Sequence, residues 1–460
     1  DVLSKLANQQ YILINLLLSP VLALFMAYFV RYYNTIGVEN PIYTFYNNYN
    51  VPVYFFMSVV VALFIGLIVS AEEIFRDRKI LKRERYLHLS KSSYLVSKIF
   101  VLFTLSAIQT LTFILVGNLI IEIPLTEMRY WLVLFSCSCF ANMLGLNISS
   151  AFDSAVTIYI LIPILIIPQL LLSGVVISFD KFNPKVGTPS GIPVLGEIMA
   201  SRWAFEALMV TQFKDNPFEA QFYELDKQRA LSEYKRVYYL PALESKLAYC
   251  LSHRNKWRDA NDEKMTSSLT LLKSELENEL KVVGREQFPE VDRLAIGKFD
   301  SIIYVKTSAF IGSLKNYYKQ QVTAAMVEKE KFVAQLTSTP EAMESFNELK
   351  MASQNKAVSD MVENANDPTR IVEWDGELIQ KIYPIYFDDH RPHNRLDFTG
   401  NFFIPTKHFL GRIYPTIYFN IAMIWFMIII LYVTLYYEVL KKLVHALETR
   451  RKYRAKDKNN

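Results

Sequence analysis

The chain has 460 residues, 52% of them hydrophobic and 21% charged, and a formal net charge of +5. A mean hydropathy of +0.15 beside so many charges indicates that the two kinds of residue are segregated. Apolar residues concentrate in 11–178 and 413–437, whereas 213–395 is rich in charge. This composition excludes an ordinary water-soluble protein and predicts a membrane protein with a large soluble insertion.

The positive charge lies mainly between the second and third apolar stretches and in the C-terminal residues 441–460. Basic segments next to apolar spans indicate topology and contact with anionic lipid headgroups. We therefore expect membrane lipids as partners and no binding of nucleic acid. The three cysteines, Cys137, Cys139 and Cys250, form neither a disulfide framework nor a zinc pattern.

Six apolar stretches approach the roughly 20 residues that a helix needs to cross the hydrocarbon core. They cover residues 11–33, 52–71, 94–121, 131–150, 154–177 and 413–437. Pro20 lies inside the first stretch, where neighbouring helices can satisfy the carbonyl that a proline leaves free. The fold class predicted from this pattern is an all-α polytopic membrane protein with six transmembrane helices.

The charged region between the second and third spans, residues 72–93, orients the chain. Its seven basic residues are Arg76, Arg78, Lys79, Lys82, Arg83, Arg85 and Lys91. Because Lys and Arg accumulate in cytoplasmic loops, we expect this region on the cytoplasmic side. An even number of spans puts both termini on that side and the soluble insertion outside. We expect an integral protein of a bacterial inner membrane.

The spans divide the chain into four predicted parts. These are a connector helix with spans one to five in 1–178, an extracytoplasmic region in 179–412, the sixth span in 413–440 and a basic cytoplasmic tail in 441–460. Within the extracytoplasmic region, 195–210 is expected to re-enter the membrane and 213–395 to form a mostly helical insertion.

Helical periodicity in the insertion is clearest in the stripe Leu269, Leu272, Leu276 and Leu280. Proline and glycine breakers divide residues 213–370 into four to six predicted helices. Residues 371–405 are expected to form short strands or extended chain that returns to the membrane.

Catalytic motifs are absent from the sequence. The only Gly-Lys pair, Gly297-Lys298, is followed by Phe299, so there is no phosphate-binding loop. The run Asp388-Asp389-His390-Arg391-Pro392-His393 offers metal-ligating side chains. Its arginine would repel a cation and its proline restricts the backbone, which favours a polar surface loop. The sequence therefore predicts no catalytic site, no metal site and no cofactor held by this chain.

The order of spans and of short motifs resembles the permease half of ABC exporters of the G-subfamily, or type-2, kind. The residues after the second span that carry the resemblance are Phe75, Glu84, Arg85, Tyr86, Tyr94 and Lys98. After the fifth span, residues 172–177 and 199–208 are similar to the family's Ser/Gly-rich exit and re-entrant aromatic segment. The resemblance covers about 1–212 and 400–440.

The resemblance implies a coupling element that docks on an ATPase. The implied coupling residues are Phe75, Arg76, Arg78, Arg83, Glu84, Arg85 and Tyr86. ATP and magnesium would bind a nucleotide-binding domain, fused upstream of Asp1 or carried by a separate chain. The alternative interpretation is a solvated loop whose charge only sets topology.

The resemblance also implies a translocation path at the interface with a second permease copy, in a homodimer. The implied path residues are Phe55, Phe56, Ser58, Phe64, Pro163, Pro168 and Gln169, and the re-entrant segment contributes Ser201, Arg202 and Trp203. An intramembrane amide such as Gln169 must pair or face water, so contact between helices is the competing interpretation.

Two departures from the family's pattern leave the function open. The sequence contains no nucleotide-binding domain, and the outer insertion is much larger than the usual outer loop. We therefore consider an exporter of amphipathic or lipid-like cargo, an ABC-type mechanotransmission machine without transport, and a membrane-anchored scaffold. The machine would use ATP-driven movement of the spans to move or regulate the outer domain, and the scaffold would only present residues 213–395. We also consider an extracytoplasmic protein as a partner of the chain.

Overall fold

The computed structural model describes residues 9–33, 42–84, 90–124, 127–183, 185–187, 191–253, 263–387 and 401–457. The α-helices of seven or more residues are α1 (Gln9–Val30), α2 (Val51–Ser70), α3 (Glu73–Glu84), α4 (Lys91–Ile121), α5 (Glu127–Ala151), α6 (Ala155–Leu171), α7 (Ala200–Lys214), α8 (Glu219–Tyr234), α9 (Leu240–Ser252), α10 (Glu263–Val283), α11 (Ser301–Leu336), α12 (Pro340–Ser353), α13 (Lys356–Val362), α14 (Thr416–Tyr436) and α15 (Val439–Asp457). The strands are β1 (Ile371–Trp374), β2 (Glu377–Gln380), β3 (Thr406–Phe409) and β4 (Arg412–Pro415).

The chain divides into two compact units, which we call unit 1 and unit 2. Unit 1 comprises Asp1–Asn216, Lys350–Ser359 and Pro392–Asn460. Unit 2 comprises Pro217–Leu349 and Asp360–Arg391. Residues 350–359 thus belong to unit 1 although they lie inside the predicted insertion, a feature that the sequence did not indicate.

Unit 1 contains the apolar helices. Among the described residues, five helical stretches are long and apolar enough to cross a membrane: Ile12–Val30, Val51–Arg78, Lys91–Ile121, Met128–Ala151 and Thr416–Tyr436. The predicted fifth span, 154–177, is represented by the shorter apolar helix α6. That helix ends at Leu171 because the chain turns at Gly174, whose φ of +80° favours glycine. A full set of six spans therefore stays a prediction.

The sixth predicted span begins three residues later than the hydropathy pattern indicates. Residues 412–415 form β4, which pairs antiparallel with β3 from Phe409↔Arg412 to Thr406↔Pro415. Leu410 and Gly411, both at positive φ, make the two-residue turn of this hairpin. The apolar Ile413 is thus a strand residue, and α14 starts at Thr416 after Pro415.

Helices α2 and α5 pack closely because glycines face the partner helix. A Cβ added at Gly66 would lie 2.6 Å from the backbone oxygen of Ser138. A Cβ added at Gly145 would lie 2.0 Å from the Oγ of Ser70. Small residues let helix backbones approach each other where apolar burial cannot drive association, as in lipid.

The apolar core of unit 2 is built from α9, α10 and α11. The predicted leucine stripe of α10, Leu269 to Leu280, is buried in that core. Glu275, on the same helix, is also buried and accepts hydrogen bonds from the hydroxyl of Tyr239 (2.9 Å) and from the backbone N–H of Leu378 (3.0 Å). The second contact ties the β1–β2 hairpin to the helices.

The β1–β2 hairpin lies in the region where we expected short strands. Its register runs from Ile371↔Gln380 to Trp374↔Glu377. Asp375 and Gly376 connect the strands with φ of +50° and +77°, as a two-residue turn of the mirror-image type requires. The metal candidates Asp388, Asp389, His390 and His393 lie outside the described residues.

Glu363 follows the end of α13 and is the acidic group of unit 2 with the clearest shift toward neutral pH. Its Oε1 accepts a hydrogen bond from the hydroxyl of Tyr386 at 3.3 Å. Burial raises the pKa of Glu363 to about 7, and the negative charges of Asp226 and Asp360 add to this effect. Tyr386 and Arg229 oppose it, but less strongly than burial.

We predict that Gly66→Ala destabilises the protein, since the new Cβ must displace helix backbone. Overpacking of this kind costs about 1–3 kcal/mol. Gly312→Ala in α11 is the control, because no atom lies within 4 Å of its added Cβ and alanine favours a helix. Thermal unfolding of the purified chain measures both variants, and equal stability of the two would contradict this account of α2–α5 packing.

We also predict that the stability of unit 2 falls as pH rises. The folded pKa of Glu363 is above its ordinary value of 4.5, so its contribution is complete below pH 4.5 and is lost through about pH 7. The loss should be on the order of 3 kcal/mol. Glu363→Gln should flatten this dependence and stabilise unit 2 at pH 8.

Limited proteolysis of residues 217–391 against temperature, at pH 5 and pH 8, measures this dependence. Glu341→Gln, at an exposed position of α12, is the matched control and should keep the native pH profile. An unchanged profile in Glu363→Gln would show that another group is responsible.

Candidate coupling site

The charged helix α3 begins where the end of α5 fixes it. A turn at Ala71 and Glu72 separates α3 from α2. The Oγ of Ser149, in the last turn of α5, accepts hydrogen bonds from the backbone N–H groups of Ile74 (3.1 Å) and Phe75 (3.0 Å). First-turn N–H groups have no partner inside their own helix, so this hydroxyl acts as a cap supplied by another helix.

The reverse contact comes from Arg78. Its guanidinium donates to the carbonyl oxygens of Ser149 (3.3 Å), Ser150 (2.9 Å) and Phe152 (2.8 Å) and pairs with Asp153. The last carbonyls of a helix lack intrahelical donors, and the helix dipole favours a cation there. Helix α5 therefore caps the start of α3, and α3 caps the end of α5.

Helix α4 joins this arrangement through Lys98. The side chain of Lys98 is only 3% exposed, and its Nζ lies 3.2 Å from Glu73 Oε2 and 2.7 Å from Asp77 Oδ2. The hydroxyl of Tyr94 donates to the same oxygen of Asp77 at 3.0 Å. Breaking such a buried pair leaves an uncompensated charge, which is costly. We call Glu73, Asp77, Arg78, Lys98 and Ser149 the elbow cluster.

The predicted coupling residues differ in how much of each is exposed to solvent. Phe75 is half-buried, whereas the side chain of Arg76 is 67% exposed and pairs with Glu72 at 2.6 Å. Arg83 and Glu84 are in the last turn of α3, but their side chains are not among the described ones. Arg85 and Tyr86 lie outside the described residues.

Three predicted path residues on α2 are buried inside the helix bundle. Phe55 packs against Tyr130 and Phe56 against Phe205, with ring centroids 5.2 and 5.7 Å apart. Ser58 donates to the carbonyl of Tyr54 at 2.7 Å. Ser58 also lines a small cavity of about 10 Å³ together with side chains of α1, α4 and α5, among them the amide of Gln109. These residues contact other helices in a single chain.

The remaining path residues lie elsewhere. Phe64 and Pro163 are exposed, and Pro168 is half-buried. Gln169 is buried, and its Oε1 accepts from the backbone N–H of Ser201 at 3.1 Å. The hydroxyl of Ser201 donates back to the carbonyl of Gln169 at 2.6 Å. The structure thus joins one predicted path residue to one residue of the predicted re-entrant segment.

A fully buried ionic cluster surrounds Glu206 on α7. Its Oε1 accepts from the ammonium of Lys407 (2.7 Å) and the backbone N–H of Phe403 (3.0 Å). Its Oε2 accepts from Arg202 Nη1 (2.9 Å) and Asn420 Nδ2 (3.0 Å). The side chains of Arg202, Glu206 and Lys407 have no exposed surface. Four donors on one carboxylate connect α7, β3 and α14.

The charges in this cluster balance. Arg202 Nη2 lies 2.5 Å from Glu197 Oε2, so two cations face two carboxylates. The Arg202 guanidinium also lies 3.5 Å from the ring centroid of Trp203, whose Nε1 donates to the carbonyl of Glu197 at 2.7 Å. Burial raises the pKa of Glu197 and lowers that of Lys407, and the neighbouring opposite charges counter both shifts. We call Glu197, Arg202, Glu206, Lys407 and Asn420 the Glu206 cluster.

Sequence reasoning selected Arg202 and Lys98 but missed their partners. Glu206 could have been found, because a carboxylate between alanine and phenylalanine in an apolar helix must be paired. Lys407 and Asn420 gave no comparable signal, since they are about two hundred positions from Glu206. Among the described residues, no group of three or more His, Cys, Asp and Glu side chains could hold a metal ion.

The comparison with protein-family models gives one match. Residues 1–213 match the family of the ABC-2 type transporter. A search of curated proteins found no match. The matched range contains α1 to α6, the elbow cluster and most of α7. It supports an ABC-2 permease domain and thus a permease component of an ABC transporter, which is an integral membrane protein that pairs with an ATP-binding component.

We predict that Glu206→Gln destabilises unit 1 by about 3–5 kcal/mol, because it leaves Lys407 and Arg202 buried with too few acceptors. The amide nitrogen of the new glutamine would also face donors. In the double variant Glu206→Gln/Lys407→Met, one uncompensated cation is removed, so the loss should be smaller than the sum of the two single losses.

Thermal unfolding of the purified chain and its three variants forms the double-mutant cycle. Additive losses would mean that Glu206 and Lys407 do not interact energetically. A native stability of Glu206→Gln would mean that the carboxylate is dispensable.

Proposed function

We propose that the chain is the permease of an ATP-driven ABC exporter of the G-subfamily kind, which moves an amphipathic or lipid-like cargo outward across the membrane. The family match over residues 1–213 and the five apolar helices support the membrane part of this proposal. The basic content of 72–93 supports a cytoplasmic position for α3. In this proposal, 179–412 is extracytoplasmic and the membrane is a bacterial inner membrane.

The elbow cluster is the observation that carries the mechanism. A coupling element must present a surface to the ATPase and must not move independently of the spans. The exposed Arg76 supports the first requirement. The contacts of Ser149, Arg78 and Lys98 support the second, since they join α3 to α4 and α5. A force on α3 would then act on two long helices together.

The nucleotide-binding component supplies ATP hydrolysis in this scheme, with ATP and magnesium bound to it, fused upstream or as a separate chain. Charges on the exposed side of α3 would form ion pairs with its surface. Two permease copies would form the functional dimer, with exposed residues of α2 and α6 such as Phe64 and Pro163 at the shared path. Gln169 and Ser201 would hold the re-entrant segment beside that path.

The test compares Arg78→Ala with Arg129→Ala in the complex purified from native membranes. Arg78 lies on α3 and contacts the last residues of α5. Arg129 lies in the first turn of α5, at its other end, and pairs with Asp215. We expect Arg78→Ala to lower cargo-stimulated ATP hydrolysis about tenfold, within the range of typical coupling energies. Arg129→Ala should retain hydrolysis within about twofold of the native rate.

Identification of all copurifying chains completes this experiment. An ATP-binding component, together with the loss confined to Arg78→Ala, would support the proposal. Its absence, in both fused and separate form, would overturn the exporter and favour a membrane scaffold. Equal ATP hydrolysis by the two variants would contradict a coupling role of the elbow cluster.

A further inference from the structure

The apolar helix α14 ends at a pair of tyrosines. Tyr436 is its last residue, and Tyr437, which follows it, is 59% exposed. The centroids of the two rings lie 5.2 Å apart, with the ring planes nearly perpendicular. Tyrosine is enriched where a span leaves the hydrocarbon core, because its ring is apolar and its hydroxyl is polar. This pair therefore marks the level at which α14 reaches the membrane surface.

Glu438 separates α14 from α15 and is paired with the beginning of α4. Its φ of +51° breaks the helix, and α15 starts at the next residue, Val439. Its Oε1 lies 2.8 Å from the ammonium of Lys91, the first residue of α4. That ammonium also lies 5.6 Å from the ring centroid of Tyr436. Because α15 packs against α5 as well, its start is fixed next to three apolar helices of unit 1.

One side of α15 is apolar and only partly covered by the protein. Val439, Leu440, Leu443, Val444 and Leu447 recur at the spacing of one helix face. Leu440 and Val444 are half-buried, whereas Leu443 and Leu447 are 57% and 67% exposed. Leucine side chains are stabilised by leaving water, so this face favours an apolar environment beside the end of α14.

The other side of α15 is basic. Lys441, Lys442 and His445 are exposed there. The arginines and the lysine that follow in the second half of the helix are Arg450, Arg451, Lys452 and Arg454. Residues 439–457 contain seven Lys or Arg and only two Asp or Glu. Such a helix is complementary to hydrocarbon covered by negative charge, which is the combination that a bilayer with anionic headgroups provides.

We propose that α15 lies in the headgroup layer at the end of α14 and binds anionic lipids. Leu443 and Leu447 reach the acyl boundary, and Lys441 and Lys442 extend their ammonium groups to the phosphates. Basic composition alone indicates lipid contact without locating it. The two exposed leucines and the fixed start of α15 assign that contact to this helix. The inference requires α14 to span the membrane, and it does not depend on the export of a cargo.

Hydrogen exchange of residues 439–449 tests this inference in the full chain. The chain is reconstituted in nanodiscs of phosphatidylcholine alone and of phosphatidylcholine mixed with phosphatidylglycerol. We expect exchange about tenfold slower in the anionic nanodiscs, since each cation near the surface adds attraction. About 1 M salt should reduce this difference, because it shortens the Debye length to about 3 Å.

Two double variants separate the apolar and the ionic contributions. Leu443→Gln/Leu447→Gln should bring the ratio of exchange rates in the two nanodiscs close to one, because the helix loses its apolar contact. Lys441→Gln/Lys442→Gln should lower the ratio to about threefold, because fewer cations remain near the surface. Glutamine is a good helix former, and the ratio is taken within each variant, so a change in intrinsic helix stability cancels.

Lys319→Gln/Lys331→Gln is the matched control, because it removes two exposed lysines from α11 and should keep the native ratio. Equal exchange of 439–449 by the native chain in both nanodiscs would overturn the inference. So would a native ratio in both α15 variants, since other residues would then be responsible. Exchange that slows only when the ATP-binding component is present, and equally in both lipids, would assign the exposed leucines to a protein contact instead.

Discussion

Glu206 holds four hydrogen-bond donors in a place from which water is excluded. A buried carboxylate loses its hydration and can remain ionised only if nearby cations and donors replace it. Arg202 and Lys407 supply the charge, and Asn420 and the backbone of Phe403 complete the shell. These donors come from α7, the 401–409 region and α14. Because an unpaired buried charge would be costly, the carboxylate holds these three segments next to each other although two of them are remote from α7 in sequence.

The elbow cluster also contains a buried charge that must be paired, but here the pairing joins helix ends. Lys98 is nearly as buried as Lys407, and it balances Glu73 and Asp77 on α3. Arg78, however, satisfies the carbonyl end of α5 instead of a single buried carboxylate. The first arrangement makes separation of α3 from α4 costly, and the second makes the ends of two helices depend on each other. Together they make α3 a rigid extension of the bundle, which is the property that a coupling element requires.

Residues 350–359 of unit 1 make their buried polar contacts through neutral groups. Asn50 and Asn355 donate to the backbone carbonyls of Val30 and Asn48, and Asn48 donates to the hydroxyl of Tyr43, all without any net charge. An amide offers both donors and an acceptor, so one buried side chain can serve a helix start and a neighbouring loop at once. Unit 1 thus contains ion pairs at α3 and α7, and asparagine hydrogen bonds at the ends of other segments. The family match ends at residue 213 and does not extend to residues 350–359.

Particular residues show which features of the fold can be predicted from the sequence. The leucine stripe of α10, the helical spans around Pro20 and the charged start of α3 follow from local patterns, because hydropathy and helical period are set by neighbours along the chain. The end of α6 at Leu171 and the start of α14 at Thr416 did not follow. The turn at Gly174 ends α6 and the β3–β4 pairing delays the start of α14, although the residues at both places are apolar enough to continue a span.

By itself, the sequence determined which segments are apolar enough for a membrane, where most helices run and which loop carries the positive charge. Only the tertiary structure decided that Glu206 meets Lys407, that Ser149 caps α3, and that residues 350–359 belong with the apolar helices. The physical reason is that a buried polar group is satisfied by whatever lies within about 3 Å in space. Distance along the chain carries no information about that partner.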